Sequence, residues 1–174
     1  KTLYEELCVS RQDIPVASMC AIEYYEDSLL PLARLYNLER ELDQALQEKI
    51  WLKSGGFLII QQTEAFVAID VNTGKHSSKK DAEENYKQIN REAALEIARQ
   101  LRLRNLSGMI LVDFINMKNT NDQSELLQYM GSLVRSDPMQ TVVVDVTALG
   151  IMEITRKKSA KTLAEQLLQL KKGE

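Results

Sequence analysis

From residue 57 onward, short dense apolar runs alternate with longer stretches in which apolar side chains recur every three or four positions. Phe57–Gln61 and Ala65–Asp70 are the first two dense runs, and the polar link Gln62-Thr63-Glu64 between them predicts a β-hairpin. Ser54-Gly55-Gly56 before the hairpin and Asn72-Thr73-Gly74 after it are turn signals. Asp81 then opens a helix, with Glu83 and Glu84 in its first turn, where acids suit the helix dipole. The helix runs to about Leu103 and should turn Tyr86, Ile89, Ala93, Ile97 and Leu101 toward a sheet. Met109–Phe114 is almost wholly apolar, as expected of a strand covered on both faces. A helix over about Asp122 to Arg135 is stopped by Asp137-Pro138. Strands follow at Thr141–Val146 and Gly150–Thr155, and Ser159 opens a last amphipathic helix through Leu163, Leu167 and Leu170. The order β-β-α-β-α-β-β-α predicts an α/β (α+β) fold, a mixed β-sheet flanked by helices.

The first fifty residues have a different texture. Leu29–Ile50 reads as mostly helix, with Leu35, Leu38, Leu42, Ala45, Leu46 and Ile50 at helical spacing, and Met19–Tyr25 reads as a short strand. Pro15 and Pro31 forbid one continuous helix there. The division expected is a largely helical region over 1–50 and an α/β unit over 51–174.

Composition narrows the class without deciding it. The 174 residues are 44% apolar and 27% charged, ordinary globular values, and no apolar run is long enough to span a membrane. Cys8 and Cys20 match no zinc spacing and read as reduced thiols of a cytoplasmic protein. His76, the one histidine, sits in a polar loop. With no visible signal peptide and Lys1 at its start, the chain reads as beginning inside a larger protein. Net charge is −3, but residues 1–50 carry ten acids and five bases, and residues 51–174 fifteen and seventeen. A basic surface can therefore exist in the second part.

The candidate chemistry lies where apolar runs end in carboxylates: Asp70 after Ala68-Ile69, and Asp113 after Leu111-Val112. Ligand sites of open α/β sheets lie at the carboxyl ends of strands, and a helix between two such strands can bring their ends together. Asn72 follows Asp70 by one side-chain period and points to the same side of an extended chain. Two carboxylates beside an amide oxygen suit a hard cation such as Mg²⁺. Asp145 is a third acid near a strand end, but Val146 continues its run, so it is expected to face away. Three basic groups could hold a phosphate backbone: Lys75, Lys79 and Lys80; Arg99, Arg102 and Arg104; and Arg156, Lys157, Lys158 and Lys161. Aromatic residues are not interleaved with these bases, so no base-stacking platform is expected.

Several segments together resemble the ribonuclease E/G family: Trp51-Leu52-Lys53-Ser54-Gly55-Gly56, Gln62-Thr63-Glu64-Ala65, Ala68-Ile69-Asp70-Val71-Asn72-Thr73-Gly74-Lys75, Asn90-Arg91-Glu92-Ala93-Ala94, the run Ile97 to Arg104, Val112-Asp113-Phe114-Ile115, and Gly150 to Lys158. The resemblance covers about residues 20–160. It implies the end of an RNase H-like subdomain over 1–50 and a DNase I-like catalytic subdomain over 51–174. It further implies a Mg²⁺-dependent endoribonuclease acting on single-stranded RNA in the cytoplasm. Asp70 and Asp113 would then be metal ligands, with Asn72 hydrogen-bonding near the scissile phosphate. Lys75, Arg102, Arg104, Arg156 and Lys157 are the RNA-backbone candidates. The family's RNA-binding domain and 5′-end sensor are expected before this stretch. A zinc-binding link is expected after it, through which the full-length protein would form a homo-oligomer. Asn116 stands where the family often has Asp, and Gln140 where well-known members have an Arg that helps hold a 5′-monophosphate. The competing readings are a non-catalytic RNA-binding or assembly module that keeps the fold, and a metal-dependent phosphoesterase for small molecules. A deep pocket beside Asp70 would favour the phosphoesterase.

Overall fold

The computed structural model describes residues 24–74 and 82–170. Cys8, Cys20, Lys75, His76, Lys79, Lys80 and Asp81 lie outside the described residues. Of the expected strand at Met19–Tyr25 only Tyr24 and Tyr25 are described, and neither is in a strand. The chain divides into two compact units, residues 1–44 and 45–174. In the first, the expected helix over Leu29–Ile50 is shorter and broken: α1 spans Leu32–Leu35 and α2 Leu38–Ala45. The break falls at Tyr36-Asn37, where Asn37 takes a left-handed φ of 50° that ends one helical run before the next begins.

The second unit is one six-stranded sheet with helices. Its strands are β1 (Lys49–Trp51), β2 (Phe57–Gln62), β3 (Phe66–Asn72), β4 (Gly108–Asp113), β5 (Thr141–Val146) and β6 (Ile151–Arg156); its helices are α3 (Ala82–Leu103), α4 (Thr120–Val134) and α5 (Leu163–Leu170). The order across the sheet is β1-β2-β3-β4-β6-β5. Only β3 and β4 run parallel, as their connection through α3 requires; every other pair is antiparallel. The three-residue β1 adds an edge strand where the sequence pattern suggested the end of a helix.

The starts of α4 and α5 are set by polar side chains. Asn119 caps α4, its side-chain oxygen accepting from Asn121 N at 2.9 Å. The last helix begins at Leu163 rather than Ser159, because Thr162 and Glu165 form a reciprocal capping box. Thr162 N donates to the Glu165 carboxylate at 2.7 Å, and Glu165 N to Thr162 Oγ1 at 3.3 Å.

The core lies between one face of the sheet and the helices α3 and α4. Leu58, Ile60, Val67, Ile69, Val71, Ile110, Val112, Met152 and Ile154 meet Ile89, Ala93, Ala94, Ile97, Ala98 and Leu101 of α3 and Leu126, Met130 and Val134 of α4. The expected inward face of α3 is thus the observed one, with Tyr86 packed at its margin. The expectation that β4 is covered on both faces is corrected. Phe57, Ile59, Phe66, Ala68 and Leu111, which alternate with the core positions, are only half-buried, and Met109 is exposed. Among the described residues the sheet has a covered face and an open one. Continuous apolarity in β4 reflects an open face that is itself apolar rather than a second helical layer. The edge strand β5 is likewise more exposed than a buried strand would be, with Val142, Val144 and Val146 all exposed and a bulge between Val143 and Asp145.

Candidate active site

Parallel pairing of β3 and β4 places Asp70 directly opposite Asp113 at the last position of the ladder. Adjacent strands lie about 4.8 Å apart, and residues opposite each other share a face. Val71 and Val112 next to them point into the core, so Asp70 and Asp113 both stand on the open face, and both are exposed. One row of the sheet reads Lys49, Ile59, Asp70, Asp113, Ile151; the next reads Trp51, Phe57, Asn72. Asn72 is on the same face, and its Nδ2 donates to Asp70 Oδ2 at 2.8 Å. A carboxylate only accepts, so the amide nitrogen must face Asp70, and this fixes the orientation of the Asn72 side chain.

The backbone around these residues is held from several directions. Gly55 and Gly56 turn the chain between β1 and β2, closed by Leu52 N to Gly56 O at 2.8 Å. This turn packs against the end of β3. A Cβ on Gly56 would lie 2.8 Å from Asn72 O, and one on Gly74 would collide with the Gly55 carbonyl. Ser54 N donates to Glu92 of α3 at 2.9 Å, tying the turn to the helix. On the other strand, buried Asn90 of α3 clamps Ile115, two residues past Asp113. Its Nδ2 donates to Ile115 O at 2.8 Å and its Oδ1 accepts from Ile115 N at 3.0 Å. Asn90 belonged to a recognisable segment, but its positioning role depends on a partner 25 residues away and has no local signature.

A groove of about 700 Å³ begins at Asp113 and runs between α4 and the β5–β6 turn, past Phe114, Asn116, Gln123, Leu127 and Leu149. It is not a deep pocket beside Asp70, and no Lys or Arg lines it. Asp145 faces the open side after all, since it pairs with Glu153, which pairs with Leu111. It nevertheless does not join the pair: no cluster of three or more His, Cys, Asp or Glu side chains suited to a metal occurs among the described residues.

Of the basic candidates, Lys75 lies outside the described residues, and the four described ones, Arg102, Arg104, Arg156 and Lys157, are not brought to the acid pair. Arg156 pairs with Gly108, at the start of β4, five residue steps and about 17 Å from Asp113 along the strand. Its guanidinium is buried, donating to Asp137 at 2.7 Å, to Asn105 Oδ1 at 2.8 Å and to Leu106 O at 3.0 Å. Arg104 is also buried, bonded to Gln100 Oε1 at 2.7 Å and Gln47 O at 2.6 Å. Both are buried and bonded within the fold, away from the open face that carries the carboxylates. Arg102 and Lys157 are exposed, but they lie at the C-terminus of α3 and just past β6, at the end of the sheet away from the carboxylates.

The cationic and aromatic groups on the site's own face were not anticipated. Lys49 Nζ lies 4.1 Å from the ring centre of Trp51 and 3.8 Å from that of Phe57, and the two rings meet edge to face at 5.3 Å. Lys49 and Trp51 stand on the open face and Ile50 packs against the core, but three residues are too short a run for that alternation to announce a strand.

The sequence profile of the ribonuclease E/G family matches residues 1–159. Ribonuclease G of Escherichia coli (strain K12) is 40% identical over 137 residues, 79% of this chain and 28% of that protein. Ribonuclease E of a Nostoc species is 38% identical over 144 residues, 83% of this chain and 21% of that protein. Ribonuclease G of Haemophilus influenzae is 40% identical over 137 residues. The chain thus spans between 21% and 28% of the length of these relatives.

Proposed function

The chain belongs to the ribonuclease E/G family, and from that membership together with the carboxylate pair we propose that it is the catalytic part of a Mg²⁺-dependent endoribonuclease acting on single-stranded RNA. The observation that carries this reading is the register of Asp70 opposite Asp113 on an exposed sheet face. Their oxygens fit a hard cation. Magnesium takes one or two carboxylates and keeps several waters, so two acids without a third are a sufficient protein contribution. Bound there, Mg²⁺ would provide a hydroxide-like nucleophile near neutral pH and offset charge growing on the phosphate oxygens.

The chain's own residues do the positioning. Asn72, oriented by Asp70, keeps its second amide N–H for a phosphate oxygen and can hold the phosphorus in line with the attacking water and the leaving ribose oxygen. Asn90 fixes the segment behind Asp113 through Ile115. The open face admits an extended strand, whereas a small phosphoester would be better served by an enclosing pocket.

The test is cleavage of a fluorescent single-stranded RNA by wild type and Asp113→Asn, with Mg²⁺ and with EDTA. Wild type should cut only with the metal, and the variant should lose about 10²-fold or more, as removal of one key electrostatic group does. Equal RNA binding by both proteins with no cut by either would make the chain a non-catalytic binding module instead.

A further inference from the structure

We propose that Lys49, Trp51 and Phe57 form a stacking platform for an unpaired nucleobase of the RNA whose scissile phosphate sits at Asp70, Asn72 and Asp113; this rests on the nuclease reading above. Three observations converge on it. The first is register: Phe57 is directly opposite Asn72, and Trp51 is directly opposite Phe57. The indole therefore stands two strands, about 10 Å, from Asn72 on the same open face. Successive phosphates of an extended strand are separated by roughly the same order of distance as neighbouring strands of a sheet, so a nucleotide adjoining the cut reaches the rings.

The second observation is exposure. Trp51 is 64% exposed, whereas a tryptophan that serves a fold is mostly buried. Its large ring is held in place by the edge-to-face contact with Phe57, so little side-chain freedom is lost when a base lands on it. The third is charge. Lys49 Nζ is kept beside both rings and supplies a cation at the platform, on a face whose site carries Asp70 and Asp113. A base stacks on the exposed indole and its phosphate meets the ammonium, the pairing of aromatic surface and cation that single-stranded nucleic acids use without sequence preference.

Trp51 is the sole tryptophan of the chain, so its fluorescence reports on this position alone. The experiment titrates the protein with a fluorescein-labelled ten-nucleotide oligo(A), magnesium withheld so that the strand stays whole. Tryptophan emission and RNA anisotropy are read together, and cleavage with Mg²⁺ is followed separately. Saturable quenching that tracks the anisotropy is expected, with Trp51→Ala weakening binding about tenfold and Trp51→Phe staying within about threefold of wild type. A rise in anisotropy with unchanged emission overturns the platform and leaves the nuclease reading standing. Quenching without Mg²⁺-dependent cleavage upholds the platform and defeats the nuclease reading. No anisotropy change overturns the platform, and cleavage with Mg²⁺ then decides the nuclease reading by itself. Quenching that follows protein concentration without RNA overturns the platform in favour of self-association through this face.

Discussion

Asp137 and Arg156 show how a single buried pair decides what a charged residue is for. Their side chains are 2% and 3% exposed, and Arg156 binds Asp137 through two of its nitrogens. Burial alone would push the Asp137 carboxyl up, but the Arg156 guanidinium, Met139 N–H and Thr141 hydroxyl together hold it below the ordinary carboxylate range. A depressed carboxylate contributes stability that is fully present above its unfolded value, about pH 4, and is lost as pH falls through the folded one. Urea unfolding should therefore give a smaller free energy at pH 3 than at pH 5. Arg156→Met at pH 7 should cost roughly 3–5 kcal/mol by leaving Asp137 buried and unpaired, and should flatten that acid-side loss. RNA affinity per folded molecule should be unchanged, since the guanidinium faces the interior. In the sequence Arg156 stands in a basic run and reads as a candidate for the RNA backbone. Its partner is 19 residues away, and no local pattern announces a pairing made by tertiary packing.

At the scale of elements, the strands from β2 onward, the helix α3 and its inward face were legible because each carries its own period. The ends were less so. The α4 and α5 starts move by two to four residues, since Asn119 and the Thr162–Glu165 box fix them more strongly than Asp122 and Ser159 do. The strand β1 is three residues long, too short for a period to declare itself beside a helical stretch. Its omission hid the aromatic pair on the site's own face. The turn that follows it carries a prediction. Gly74 has φ +70° and its α-carbon lies against the Gly55–Gly56 backbone, so Gly74→Ala meets both an unfavourable backbone region and a collision. Thermal unfolding should show a loss of about 1–3 kcal/mol. Cleavage per folded molecule should fall as well, because the displaced turn is the support of Asn72.

For the whole molecule, the sequence indicated a sheet with helices and two acids at strand ends, and the structure supplies the asymmetry. Every core side chain of the sheet points toward α3 and α4, while the opposite face keeps Asp70, Asp113 and Trp51 exposed and Asn72 and Phe57 half-buried. Amphipathic periods show that a helix has a buried side; they do not show that both helices choose the same face of a sheet. Among the described residues, no helix is long and apolar enough to cross a membrane.

The register of β3 against β4 also has a thermodynamic side. Two carboxylates at one ladder position repel each other, and like charges placed opposite one another weaken a sheet. Without a cation, Asp113→Asn should thus be more stable than wild type by about 0.2–1 kcal/mol, readable as a higher melting temperature in EDTA. Adding Mg²⁺ should raise the melting temperature of wild type through binding to the folded state and leave the variant almost unmoved. A ranking of variants by heat resistance alone would favour the very substitution that the proposed mechanism expects to abolish cleavage, so a thermal screen and an activity screen should select opposite residues at position 113.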